Sequence, residues 1–263
     1  MTGLSGIAVN PQVLRTLVKR DLRVRYARSW LGYLWTVLDP LAMAAIYYVV
    51  FTLIFTTKRP GNEPYFLHLI TGMLLWQWFS QCVTETSRAL LQESRLVRST
   101  NFPRELWVVR VVIAKGLEFI FSLPVLVVIV AGYLVSGKVS LNWTLVFIPA
   151  AILLTFLLAT GIGLILGPIT VLVTDTARVV RIALRIGMYA TPIIYSAQSA
   201  PPAIKTALLF NPLTGILELF RSGFFPNELD LASVLSSVII TAALLVVGGL
   251  VFRRMEPAVL KEI

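Results

Sequence analysis

Apolar positions in this chain are grouped in two ways. Between residues 10 and 29 they form a stripe: Leu14, Leu17, Val18 and Leu22 recur at helical spacing, while Arg15, Lys19 and Arg23 recur every four residues on another face. Asn10-Pro11 marks the start, a capping side chain followed by proline at the first helical position. The stripe predicts an amphipathic helix lying in the headgroup plane, apolar side toward lipid and cations toward phosphate. Further along, stripes give way to slabs. Apolar stretches over residues 33–55, 66–83, 107–135, 143–173, 179–197 and 231–252 hold few charges and lack the two-residue alternation of a barrel strand. A spanning helix needs ~20 mainly apolar residues. The pattern therefore predicts an all-α membrane protein with six transmembrane helices.

The stretch from Asp175 to Arg221 departs from this pattern. Arg178, Arg181 and Arg185 lead into an apolar run that ends at Thr191-Pro192-Ile193-Ile194-Tyr195. Two shorter apolar pieces follow, split by Pro201-Pro202 and Asn211-Pro212. Short apolar segments broken by proline, beside a full span, predict helices that enter the membrane and return. Irregular backbone at that depth persists only where protein buries it or it lines a water-filled path. The expectation is a set of short re-entrant helices between the fifth and sixth spans, within residues 199–227, forming the outer mouth of a passage.

Composition agrees with the slabs. Hydrophobic residues make up 57% of the chain and charged residues 14%, against ~45–50% and ~25% in soluble domains. Cys82 and His68 are each alone of their kind, which excludes an intrachain disulfide and a His/Cys metal cluster. A net charge of +10 would point to nucleic acid in a soluble protein. Here its distribution explains it instead. Lys and Arg concentrate in residues 15–28, 88–110, 178–185 and 253–261, and only Lys58, Arg59, Lys138, Lys205 and Arg221 fall on the other side of the predicted spans. By the positive-inside rule both termini are cytoplasmic. No signal peptide is expected, because the basic segment leads into an apolar run too long for one.

Several constellations carry two readings. Gly132 to Lys138 fits the phosphate-loop spacing, but Val139 stands where Ser or Thr must hold Mg²⁺, and no strand precedes it. The chain is not expected to bind ATP. The segment Glu93–Glu105 is either a plain connection or a docking knob, with Phe102-Pro103 as anchor and Arg98, Arg104 and Glu105 as rim. Arg178, Arg181 and Arg185 share one helix face behind Asp175, a candidate N-cap. They either anchor the helix or line a mouth that attracts phosphate. Lys115 and Glu118, three apart within a span, read as a structural pair. Gly163-x-x-x-Gly167 permits close helix approach.

Taken in order, these motifs resemble a known family. The basic amphipathic start with Leu31-Gly32-Tyr33-Leu34-Trp35 through Asp39-Pro40, Phe102-Pro103-Arg104-Glu105, Thr191-Pro192-Ile193-Ile194-Tyr195, and Asn211-Pro212-Leu213 leading to Phe220-Arg221 carry the resemblance over nearly the whole length. The chain is similar to the membrane subunit of bacterial polysaccharide ABC exporters, the ABC-2 group that exports O-antigen, teichoic acid and related glycans. Thr174-Asp175 stands where that family often has Arg-Asp.

The resemblance implies a single transmembrane domain over residues 1–263. It implies a homodimeric pore served by two cytoplasmic nucleotide-binding ATPase subunits. The interface helix (10–29) and the loop 93–105, with Arg98, Phe102, Pro103, Arg104 and Glu105, would couple to them. Spans one and five would line the channel, where Tyr33, Tyr47, Phe51 and Tyr189 offer stacking surfaces to sugar rings. Arg25, Arg28, Arg181 and Arg185 would attract the diphosphate of a polyprenyl-diphosphate-linked glycan. Pro192, Tyr195, Asn211, Pro212 and Phe220 would form the outer gate. No cofactor or metal is expected on this chain; ATP and Mg²⁺ would sit on the partner. The chain would not be an enzyme, would bind no nucleic acid, and would reside among lipid as a multi-pass protein of the bacterial inner (plasma) membrane. A cell-wall galactan precursor is one candidate cargo. An ABC-2 drug or small-lipid efflux permease would share the architecture, and an ATP-independent secondary transporter would lack the ATPase. A membrane glycosyltransferase or phosphatase should show a carboxylate pair or metal set, and none is visible in the sequence.

Overall fold

The structure, a computed structural model, describes residues 11–26, 30–50, 64–99 and 102–262. Every regular element among them is helical. In chain order these are α1 (Pro11–Tyr26), α2 (Trp35–Val49), α3 (Tyr65–Thr86), α4 (Ala89–Gln92), α5 (Ser94–Ser99), α6 (Glu105–Val135), α7 (Ile148–Leu172), α8 (Thr176–Ala190), α9 (Pro202–Leu208), α10 (Pro212–Arg221) and α11 (Leu231–Glu262).

Among the described residues, three segments are long and apolar enough to cross a membrane. They are Glu105–Val135, Trp143–Leu172 (a 3-10 turn running into α7) and Leu231–Glu262, of 31, 30 and 32 residues. Helices α9 and α10 pass the same test as a pair, but they are bent by 94° at their break, the shape of a broken span or a re-entrant hairpin. The other predicted spans are different in kind. Helix α2 is apolar but runs only 15 residues to Val49, and residues 51–63 lie outside the described ones. Helix α3 has 22 residues, carries His68, Gln77, Gln81 and Glu85, and is buried along most of its length. Helix α8 stops at Ala190, short of the predicted 197. The reason is local: Pro192 disfavours the helical region for the residue before it, and Thr191 is extended at φ −100°, ψ 141°. The last helix instead continues past 252 to Glu262.

Helix ends follow their capping chemistry. Pro11, Pro202 and Pro212 each sit in the first turn, where a missing N–H costs nothing. The near phosphate loop turns out to be the C-terminus of α6. Lys138 N–H donates to Tyr133 O at 3.0 Å and Gly137 N–H to Leu134 O at 3.0 Å. Gly137 takes φ +66° to close this Schellman cap. Carbonyls converge there, whereas phosphate binding needs the N–H groups of a helix N-terminus. Asp175 precedes α8 but makes no side-chain cap bond; its carboxylate lies 3.6 Å from Arg178 instead.

The core forms where α3 and α10 are enclosed by α6, α7 and α11. Leu67, Ile70, Leu75 and Cys82 of α3 and Ile216, Leu217 and Phe220 of α10 are buried. Close approach of α7 and α11 depends on Gly161 and Gly248. A Cβ on Gly161 would stand 2.8 Å from the Leu244 carbonyl carbon, and one on Gly248 would run into the Gly161 carbonyl oxygen. Of the predicted Gly163/Gly167 pair, Gly163 meets Thr86 and Val108 while Gly167 makes only ordinary contact. Gly161→Leu should therefore overpack the α7–α11 seam and lower stability by about 1–3 kcal/mol. The thermal unfolding midpoint of the detergent-solubilised protein reads this out.

Candidate functional site

The break after α8 is held open by one buried cation. Arg221, at the end of α10, is 2% exposed. Its Nη1 donates to Pro192 O at 2.8 Å, its Nη2 to Ile193 O at 3.0 Å and to His68 O at 2.9 Å, and its Nε to Thr71 Oγ1 at 3.3 Å. A guanidinium supplies donors in a fixed planar fork, which suits carbonyls that no helix satisfies. The backbone of Pro192–Ile193 leaves the helical path because Pro192 stands there, and Arg221 takes up the carbonyls so exposed. Gly72 makes room: a Cβ on it would collide with the Arg221 guanidinium. The sequence pattern counted Arg221 only as a cation beyond the predicted spans and gave no sign of its burial; its partners lie deep between α3 and the break.

Asn211 is the second fastener. Its Oδ1 accepts the Leu213 N–H at 3.0 Å, capping α10, and its Nδ2 donates to Thr191 Oγ1 at 2.9 Å and to Ala190 O at 3.3 Å. Tyr65 donates to Ile194 O at 3.0 Å. His68 Nδ1 lies 3.2 Å from a Glu228 carboxylate oxygen. Pro192, Asn211 and Pro212 are thus parts of one knot. Phe220 is not at its mouth: it is fully buried, with its ring 6.0 Å from that of Phe119.

Beside the knot lies an open groove of about 930 Å³. Trp76 and Phe79 of α3, Ile162 and Leu166 of α7, Leu184 and Tyr189 of α8, Tyr195, and Phe210 line it. Gly187 lets α8 lie against Trp76, whose ring would be 3.2 Å from a Cβ at that position. Two of the aromatic residues predicted for a channel come together, since the Tyr47 and Tyr189 hydroxyls are 3.4 Å apart. Tyr195 donates to Tyr189 O at 3.4 Å. The side chain of Tyr33 and all of Phe51 lie outside the described residues. Arg181 and Arg185 are exposed on α8 beside Val179, Ile182 and Ile186. The Arg25 side chain and Arg28 lie outside the described residues, so the predicted arginine quartet is seen only by half.

A second polar cluster joins α1 to the rest. Arg110 of α6 is 3% exposed and pairs with Asp21 at 3.0 Å and Glu93 at 3.2 Å. Arg20 also pairs with Glu93, and lies 3.3 Å from Asp21. The Arg110 guanidinium stacks 4.9 Å from the Trp107 ring. The predicted coupling loop is partly helical, because α5 occupies Ser94–Ser99. Arg98 is exposed in its last turn; Phe102 and Pro103 are half-buried, so Phe102 is no free knob. Arg104 pairs with Glu256 of α11 at 3.5 Å, and Glu105 opens α6. Sequence reasoning missed Arg110 and Asp21. The signal was a cation among the apolar residues 106–114, which the tally of topology charges absorbed.

Deeper in α6, Lys115 pairs with Glu118 at 2.9 Å, as the sequence predicts, and also with Glu85 at 3.0 Å and Gln81 at 2.9 Å. This quartet ties α3 to α6. A cation there is tolerated because its three donors are all used.

Residues 12–225 match the family of ABC-2 type transporters. The O-antigen export system permease protein RfbA of Klebsiella pneumoniae is 30% identical over 93% of this chain and 92% of its own length. A protein of the same name from Myxococcus xanthus is 28% identical, covering 93% of each chain. The polysialic acid transport protein KpsM of Escherichia coli is 26% identical over 97% of this chain and 98% of its own.

Proposed function

Since the chain belongs to the family of ABC-2 type transporters, we propose that it is the channel-forming subunit of an ATP-driven exporter of lipid-linked polysaccharide. It is a multi-pass protein of the inner membrane. The observation that carries the proposal is the extent of likeness. Permeases named for O-antigen export align with 93% of this chain, so the likeness covers nearly the whole length and not one motif.

The geometry supports this reading. A groove lined by Trp76, Phe79, Tyr189 and Tyr195 offers faces on which sugar rings slide without tight binding. Two copies form the pore. The exposed apolar face of α8, with Val179, Ile182, Ile186 and Tyr189, is suited to face a second copy or the path between them. Both termini lie in the cytoplasm, where Lys and Arg concentrate. Two separate ATPase subunits hold ATP and Mg²⁺ and dock on α1 and the segment from Glu93 to Glu105. Pro192, Tyr195, Asn211 and Pro212 form the outer gate. Arg181 and Arg185, with Arg25 and Arg28, attract the diphosphate of the cargo.

Depleting the protein in its host should leave undecaprenyl-type lipid-linked glycan on the cytoplasmic side, scored by protease-free glycolipid extraction and surface labelling of the polymer. Unchanged surface polymer would overturn the reading. A finer test is the double variant Arg181→Gln/Arg185→Gln. Both residues are exposed, so the protein should accumulate normally. Export should fall about tenfold, the effect of losing one charge-assisted contact.

A further inference from the structure

A second groove lies on the opposite face of α7 from the first. It has a volume of about 320 Å³ and runs between α6, α7 and α11. Its walls are apolar: Val109 of α6, Phe156, Leu157 and Leu164 of α7, and Val246 and Leu250 of α11. Two ionisable side chains line it as well, Glu105 at the first position of α6 and Arg253 of α11. Neither forms an ion pair among the described residues, although Arg104 and Glu256, their neighbours in sequence, pair with each other.

Two adjacent glycines of α11 border the groove in different ways. Gly248 is required by packing, because a Cβ on it would meet the Gly161 carbonyl. Gly249 has no atom within 4 Å of where its Cβ would stand, and it lines the groove. A glycine inside a helix costs about 1 kcal/mol against alanine. Seam packing leaves that cost at Gly249 unexplained, whereas an occupied groove accounts for it.

The geometry points to a resident membrane phospholipid with a zwitterionic amine headgroup, one acyl chain lying in this groove. Apolar walls match the chain. Arg253 meets the phosphate with charge-assisted donors. Glu105 accepts from the ammonium of an ethanolamine headgroup. An anionic headgroup would satisfy Arg253 but set its charge against Glu105. A choline headgroup carries no N–H to donate. The lipid would bind the α6–α7–α11 face as a structural part of the protein, apart from cargo, and the inference stands on the chain being a membrane protein whatever it exports.

Native mass spectrometry of the full chain, purified from membranes in mild detergent and then offered phosphatidylethanolamine, phosphatidylglycerol and phosphatidylcholine in turn, tests this. Wild type should retain phosphatidylethanolamine in preference to both others. Arg253→Gln should weaken that retention roughly tenfold. Gly249→Leu starts from a Cβ position with no atom within 4 Å, puts its side chain into the groove, and should abolish retention without lowering the unfolding midpoint of the lipid-free protein. Glu105→Gln should shift preference toward phosphatidylglycerol. Equal retention of the three lipids by wild type, or retention untouched by both Arg253→Gln and Gly249→Leu, overturns the assignment.

Discussion

Arg221→Met should destabilise the protein by about 3–5 kcal/mol, the cost of stripping a buried charged group from partners that stay behind. Methionine keeps much of the volume and removes every donor. Pro192 O and Ile193 O then lose the group that satisfies them, while His68 O and Thr71 Oγ1 lose one of their bonds and keep the one between them. The Pro192–Ile193 carbonyls have no helical partner to fall back on, because the chain leaves α8 at Thr191. Arg221→Lys should recover little. An ammonium restores the charge, but a single nitrogen with three donors cannot span four acceptors set around a planar fork. Gly72→Ala should reproduce part of the defect from the other side, since its methyl takes space the guanidinium occupies. The readouts are the unfolding midpoint in detergent and the amount of protein in membranes. If Arg221→Met melts with wild type, or if lysine substitutes fully, the knot is not what holds the break.

Arg110→Met should be the second large effect, and its signature should be loss of coupling ahead of loss of fold. Arg110 is nearly inaccessible, while the side chains of Asp21 and Glu93 keep 17% and 22% of their exposure. The carboxylates left behind are partly solvated and still face Arg20, so the cost is placed at about 2–3 kcal/mol, below that of a fully buried pair. That energy belongs to the attachment of α1 to α6 and to the α4–α5 turn. Hydrogen exchange of α1 should speed up while the amides of α3 and α7 stay protected. In the ATP-driven exporter proposed above, ATP hydrolysis should persist while polymer export falls. Asp21→Asn, which keeps the hydrogen-bond acceptor, should show a weaker version of both effects. Unchanged protection of α1 in Arg110→Met would show that the ion cluster does not fasten it.

Much of this was legible in the residues. The proline at 11 begins a helix, as expected, and the apolar slabs near 107–135, 143–173 and 231–252 became helices of spanning length. Prolines at 192, 201, 202 and 212 stand where helices end or begin, because the ring and the absent N–H act locally, whereas Pro40, Pro124, Pro168 and Pro257 are carried inside helices. The pairing of Lys115 with Glu118 was readable too, since residues three apart on a helix are neighbours whatever surrounds them. Other features misled. Phe220 follows the Asn211-Pro212 motif but faces the core, and Asp175 precedes a helix yet does not cap it.

What sequence alone determined, then, is whatever obeys a local rule: which stretches are helical and apolar, where a proline interrupts them, and which neighbours on one helix pair. Only tertiary structure decided which charges are buried and what they hold. Arg221 and His68 are 153 positions apart, Arg110 and Asp21 89, and Tyr47 and Tyr189 142. No periodicity links such positions, because a side chain's partner across the fold is set by how helices pack. That same packing turned an arginine that looks like a topology marker into the pin of the break after α8.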